Sequence, residues 1–149
     1  TSIAIYYNKS IMSSAIINHE DGSLLTAIKG EGSLFENIKL RCDNFISSES
    51  FISNIYELED KALGENYEMI YTKGSVTSLS DLAKGDYDFG IFDNVKISDL
   101  ASSILVCKES GYIVSKFDGS EFSIDDETSI IIYRPSCEAV VKGLVKNHS

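Results

Sequence analysis

Gly90-Ile-Phe-Asp93-Asn-Val-Lys-Ile-Ser-Asp99-Leu-Ala-Ser-Ser-Ile-Leu-Val-Cys-Lys-Glu-Ser-Gly111 is the stretch that decides how the chain is read. Its residue pattern predicts a buried strand end, a short loop carrying two carboxylates, and then an amphipathic helix. Leu100, Ala101, Ile104, Leu105 and Lys108 fall at helical spacing, so the helix can lay one apolar stripe on a sheet. Ser98 or Asp99 stands where an N-cap belongs, and Gly111 stands just past the end, where a left-handed residue is wanted. A carboxylate at a helix N-terminus is held in its ionised form by the macrodipole and the free N–H groups. Such a group serves either as a cap or as a hard oxygen ligand for Mg²⁺. Any chemistry in this chain is expected at that helix start.

Working outward on the C-terminal side, Tyr112-Ile113-Val114 is a strand and Asp118-Gly119 a turn. Ser129 to Tyr133 is a further strand, and Pro135 separates it from a last helix over Glu138 to Lys146. On the N-terminal side, Tyr87 to Phe92 reads as an inner strand with Asp93 at its carboxyl end. Ser75 to Lys84 is a helix ended by Gly85, and Met69-Ile70-Tyr71 is a strand. Leu58 to Leu63 forms a short charged helix before Gly64, and Phe51 to Tyr56 is read as strand.

The first third is a meander. Ile3, Ile5 and Tyr7 alternate with Ala4 and Tyr6 from the very start. Ile11 to Asn18 and Ser23 to Ile28 are strands joined through Asp21-Gly22, a strong hairpin signal. Lys29-Gly30-Glu31-Gly32 turns the chain into Ser33-Leu34-Phe35, read as a short edge strand. The Ser- and Asn-rich loop after Lys39-Leu40-Arg41 is too short to be a linker. The chain is therefore expected to form one α/β or α+β domain, an antiparallel meander over 1–41 followed by alternating helices and strands over 51–149.

Composition excludes several classes. With 149 residues, 43% hydrophobic and 24% charged, the chain is globular rather than disordered. A formal charge of −10 argues against a nucleic-acid binder, which needs clustered cations, but not against divalent metal ions. No apolar run approaches the ~20 residues that cross a bilayer. Cys42, Cys107 and Cys137 are odd in number and scattered, which fits reduced thiols in the cytoplasm better than a disulfide or zinc framework. His19 beside the hairpin turn reads as a solvated surface side chain.

Three segments together resemble one family. Ala27-Ile28-Lys29-Gly30-Glu31-Gly32 is similar to the Ala-x-Lys-Gly-x-Gly turn of the inositol monophosphatase family. Lys96-Ile97-Ser98-Asp99-Leu100-Ala101 resembles its Lys-Pro-Trp-Asp-Val-Ala segment. Glu109-Ser110-Gly111-Tyr112-Ile113-Val114, followed by Asp118-Gly119 and Phe122, resembles its Glu-Ala-Gly-Gly-x-Val with a downstream Asp-Gly-x-x-Phe. The order and spacing of these segments run across nearly the whole chain.

The resemblance implies a layered αβαβα fold and a Mg²⁺-dependent, Li⁺-sensitive phosphomonoesterase, often dimeric, acting on a small phosphorylated substrate such as an inositol phosphate. It implies that Asp99 ligates one of several Mg²⁺ ions. It also places Asp93 near a substrate-binding carboxylate, and Gly74, Ser75 and Thr77 at a helix start that approaches the substrate. Departures from the pattern are equally specific. The family's other metal ligands lie in a Gly-Glu-Glu segment and an Asp-Pro-x-Asp-Gly-Thr segment, and neither occurs here. Ser98 replaces a Trp, Asp93 replaces a longer Glu, and the stretch between Asp93 and Asp99 reads one residue short.

The resemblance thus covers the C-terminal part of the family. It leads to the expectation of an upstream N-terminal half, without which an apolar face or an edge of the sheet is left uncovered and the chain alone is inactive. The plainer readings stand beside it: Asp99 as an N-cap, Asp93 as a solvated carboxylate, Gly74-Ser75 as turn and cap residues, and the whole as a non-catalytic relative acting through binding.

Overall fold

A computed structural model describes residues 1–42, 49–55, 67–72 and 76–148. The first sheet is an antiparallel meander of β1 (Ser2–Tyr7), β2 (Ser10–Ile17), β3 (Leu24–Ile28), β4 (Gly32–Phe35) and β5 (Ile38–Lys39), paired strictly in chain order. Two of its turns have positive φ at both central residues, Asn8-Lys9 and Glu36-Asn37. That geometry matches strand twist and makes two-residue hairpins. The second of them adds β5, so β4 is not the edge strand the sequence suggested.

The second sheet has strand order β7-β6-β8-β10-β9. It is built from β6 (Ser50–Ser53), β7 (Glu68–Tyr71), β8 (Phe89–Lys96), β9 (Ile113–Lys116) and β10 (Glu127–Tyr133). β6 runs parallel to both β7 and β8, whereas β10 is antiparallel to β8 and β9. The helices are α1 (Val76–Ala83), α2 (Ile97–Glu109) and α3 (Glu138–His148). The expected helix over Leu58 to Leu63, the end of the strand at Tyr56, and Gly74 and Ser75 lie outside the described residues.

Side-chain alternation assigns the layers. Ile52, Phe92, Ile130 and Ile132 face a core shared with α1, α2 and the first sheet. Their neighbours Phe51, Phe89, Ile91, Ile131 and Tyr133 face a second core with Val141, Leu144 and Val145 of α3. The second sheet is therefore apolar on both faces, as a continuous run such as Ile130-Ile131-Ile132 requires. Gly90 belongs to this packing, because a Cβ there would stand 2.7 Å from the Phe92 ring and 3.2 Å from Ile52.

The layers run sheet, helix pair, sheet, helix. The α2 helix touches β1 to β4 on one side and β8, β9 and β10 on the other. Every residue from Leu100 to Cys107 is buried, so the helix is enclosed all round rather than along the one stripe its spacing suggested. Small polar residues make the close approach tolerable by bonding to main chain. Ser14 Oγ donates to Ser102 C=O at 2.9 Å and Ser103 Oγ to Val76 C=O at 3.1 Å.

The two family segments that the sequence presented separately meet here. Glu109, at the C-terminal end of α2, accepts hydrogen bonds from Gly30 N–H at 2.9 Å and Gly32 N–H at 3.0 Å through one carboxylate oxygen. Both glycines have positive φ, and this turns their N–H groups toward one anion. Gly111 (φ +108°) then reverses the chain against Cys42, where an added Cβ would lie 2.8 Å from Sγ.

The outer face of the first sheet is apolar and open. Cross-strand register aligns Ile3 and Ile5 with Ile17, Leu24, Ile28 and Leu34 on that face, and each is 39–62% exposed. The sequence led to the expectation of an exposed apolar face or edge, and the exposed element is a face.

Candidate functional site

The helix start at Lys96 differs from the sequence reading in a way that matters for Asp99. β8 continues through Asp93 to Lys96, and α2 begins at once with Ile97, so there is no intervening loop. The N-cap is Lys96, which makes no side-chain cap hydrogen bond. The first helical N–H, that of Ile97, is instead satisfied by the Asp126 C=O at 3.0 Å. With the cap supplied by main chain, neither Ser98 nor Asp99 fills that role. Asp99 is the third residue of the helix and exposed, and among the described residues no hydrogen-bond or ion-pair partner is found for its carboxylate. Its negative charge stands beside the free N–H groups of the first turn, where the macrodipole favours an anion.

Asp93 is held differently. Asn94, with φ +51°, interrupts the ladder where the pairing with β10 shifts register between Thr128 and Ile130. This is a bulge, with Asp93 and Asn94 together opposite the single Ser129. Asn54 clamps the Asp93 backbone, accepting from its N–H at 2.7 Å and donating to its C=O at 2.8 Å. The Ser129 hydroxyl donates to Asp93 Oδ1. Asp93 is thus exposed but fixed on the sheet, its carboxylate held by Ser129.

Thr77 is exposed in the first turn of α1. Ser103, one turn beyond Asp99 on the same helix face, bonds to Val76 C=O at the start of α1. The start of α1 therefore lies beside α2 one turn beyond Asp99, and with the helices running the same way Thr77 and Asp99 stand toward the same end of the pair. Thr77 also lines a cleft of about 310 Å³ with Val76, Ser80 and Lys84, closed on its other side by the β2–β3 hairpin around His19. His19 is exposed and pairs with the Thr1 hydroxyl at 2.6 Å, a surface contact.

The donor set does not by itself build a metal centre. Among the described residues no group of three or more His, Cys, Asp or Glu side chains is placed to hold an ion. A single free carboxylate is too little for Mg²⁺, which demands octahedral oxygen ligation and sheds water reluctantly. The three cysteines are buried and not joined in disulfides, and burial pushes the Cys107 thiol far above its ordinary range.

Sequence reasoning missed a buried ion pair at the other end of β8. Asp88 and Arg134, both buried, pair at 3.1 Å between β8 and the end of β10, and Asp88 Oδ2 also accepts the Glu49 N–H at 3.1 Å. The only local signals were a carboxylate one residue before an apolar run and an arginine one residue after another. Among the described residues no helix is long and apolar enough to cross a membrane.

No curated protein matches the chain. Among solved structures, it is similar to the extragenic suppressor protein suhB of Bartonella henselae (24% identity, TM-score 0.82), covering 97% of this chain and 63% of that one. It is also similar to an IMPase/NADP phosphatase complexed with NADP and Ca²⁺ (22%, TM-score 0.79, 96% and 59%). A third is an inositol monophosphate-bound SaIMPase-II (19%, TM-score 0.78, 99% and 62%). The chain spans about three fifths of the length of these neighbours. The profile of the inositol monophosphatase family matches residues 1–146. With that match across nearly its whole length, the chain belongs to the inositol monophosphatase family.

Proposed function

We propose that these 149 residues work as the C-terminal part of a phosphomonoesterase that hydrolyses a small phosphate ester, such as an inositol phosphate, with the help of divalent metal ions. The single observation that carries this reading is the Asp99 carboxylate, exposed on the first turn of α2 while Asp126 C=O fills the capping role. A carboxylate freed from capping is available to a ligand. In this reading Asp99 contributes one Mg²⁺ ligand, and the remaining ligands come from an N-terminal half, since the described residues do not assemble a set. Metal ions in such sites neutralise phosphate charge and activate water.

The substrate wall follows from the same end of the helix pair. In this reading Gly74, Ser75 and Thr77 contact the substrate at the start of α1, and Asp93, held by Asn54 and Ser129, meets a substrate hydroxyl. In this reading an N-terminal partner segment makes up the remainder, the chain covering only 59–63% of the neighbouring structures. That segment would also cover the Ile3, Ile5 and Ile28 face. We place the protein in the cytoplasm, as a homodimer, with Cys42, Cys107 and Cys137 reduced.

A second reading, a non-catalytic relative acting through binding, is favoured by the incomplete donor set. Phosphate release from inositol phosphate with and without Mg²⁺, by this chain together with the N-terminal half of its own reading frame, separates the two. Activity that needs both halves and falls at least a hundredfold in Asp99→Asn supports the enzyme. Full activity in Asp99→Asn, or none in the joined protein, overturns it.

A further inference from the structure

We propose a second anion site at the opposite end of α2 from Asp99, taking a small phosphorylated or phosphonate compound with a flat apolar group. The site is a cleft of about 600 Å³ between the two sheets. Asp99 and Lys108 are nine positions apart on α2, ~13 Å along its axis, so this cleft is separate from the helix starts described above.

Three lysines from three separate elements converge on the cleft. Lys9 belongs to the β1–β2 turn, Lys29 follows β3, and Lys108 lies in the last turn of α2. Each is positioned by the fold. Lys9 is set in a two-residue turn by its φ of +63°, Lys29 Nζ donates to Ser10 Oγ at 2.6 Å, and Lys108 Nζ stands 5.5 Å from the centre of the Phe122 ring. The opposing charges at the cleft are two. Glu109 is committed to the Gly30 and Gly32 N–H groups, and Glu121 is exposed at the rim. Lys9 also meets Asp125 at 3.4 Å, a pair more than two-thirds exposed on both sides and therefore weak. In a chain of net charge −10, a cleft bordered by three lysines and two glutamates is an electrostatic exception.

Ligand class follows from the lining. Ammonium groups bind phosphate oxygens as point charges without demanding a fixed fork geometry, and several converging on one cleft favour a dianion over a monoanion. Between them lies an apolar floor in which Phe122 and Val114 are half-buried and Ile113 is exposed. That floor suits a flat hydrocarbon or aromatic group carried by the anion.

The test uses phenylphosphonate, which resists hydrolysis, titrated calorimetrically into the protein at pH 8 and low salt, with phenol as the neutral control. Saturable binding is expected for phenylphosphonate and not for phenol. The Lys9→Gln/Lys29→Gln/Lys108→Gln variant is expected to bind at least tenfold more weakly, while Lys142→Gln/Lys146→Gln on α3 binds as the wild type does. Circular dichroism melting confirms that both variants are folded, and these surface changes leave the core intact. No saturable phenylphosphonate binding, equal affinity in the triple variant, or an equal loss in the α3 variant overturns the site.

Discussion

Replacing Glu109 tests whether the two family segments are joined by the contact described above. Its carboxylate accepts two hydrogen bonds, at 2.9 and 3.0 Å, from Gly30 and Gly32. A hydrogen bond to a charged group contributes ~1.5–3 kcal/mol when well sheltered. Here the Gly30 contact is exposed and the Gly32 contact half-buried, so water replaces much of the first when the acceptor is removed. We expect Glu109→Ala to destabilise the fold by about 2 kcal/mol, a melting shift of ~4–8 °C for a domain of this size. Glu109→Gln keeps a neutral oxygen in place and is expected to lose about half as much. Urea denaturation followed by circular dichroism measures both, and amide exchange at Gly30 and Gly32 reports on the contact itself. An Ala variant within ~0.5 kcal/mol of wild type, or unchanged exchange at the two glycines, would refute the reasoning.

Three further outcomes follow from other contacts. Gly111→Ala forces a side chain into φ +108° and against Cys42 Sγ, and is expected to lose about 3 kcal/mol; Gly119→Ala, at φ +85° with open space around it, loses about 1 kcal/mol. Equal losses in the two variants would remove the Cys42 contact from the account. Asp88→Asn leaves the Arg134 guanidinium buried without its counter-charge and is expected to destabilise by about 3 kcal/mol, whereas Asp88→Asn/Arg134→Met recovers part of that loss. Burial holds the Cys107 thiol neutral in the folded state, while the unfolded chain ionises it near pH ~8.5. The neutral thiol's contribution is therefore full below that pH and declines as pH rises beyond it. Urea midpoints at pH 7.5 and 9.5 should fall further apart in wild type than in Cys107→Ala.

Asp99 marks the boundary between what the sequence and the fold each decide. The sequence places a carboxylate at a helix start, because helical spacing and the terminal Gly111 define α2 within three residues. It could not show that Lys96 would be the cap position, since the capping group is Asp126 C=O, a main-chain atom 29 positions away from Ile97. Asp93 tells the same story, its place in the strand being set by Asn94 and by a register shift against β10, neither visible in local propensity.

The meander was legible because each strand pairs with the next, so alternation and turn residues carry the whole instruction. The second sheet was not, because β10 inserts between β8 and β9, and only long-range packing chooses that order. For α2 the apolar spacing predicted one buried stripe. The second buried face exists because small Ser and Ala side chains let the first sheet approach, and that sheet is assembled from strands far upstream of the helix in sequence. The sequence by itself thus determined the local elements, the family segments and the carboxylate at the start of α2. Only the tertiary structure decided which charges remain free, because a side chain's availability depends on which distant main-chain and side-chain atoms arrive to satisfy it.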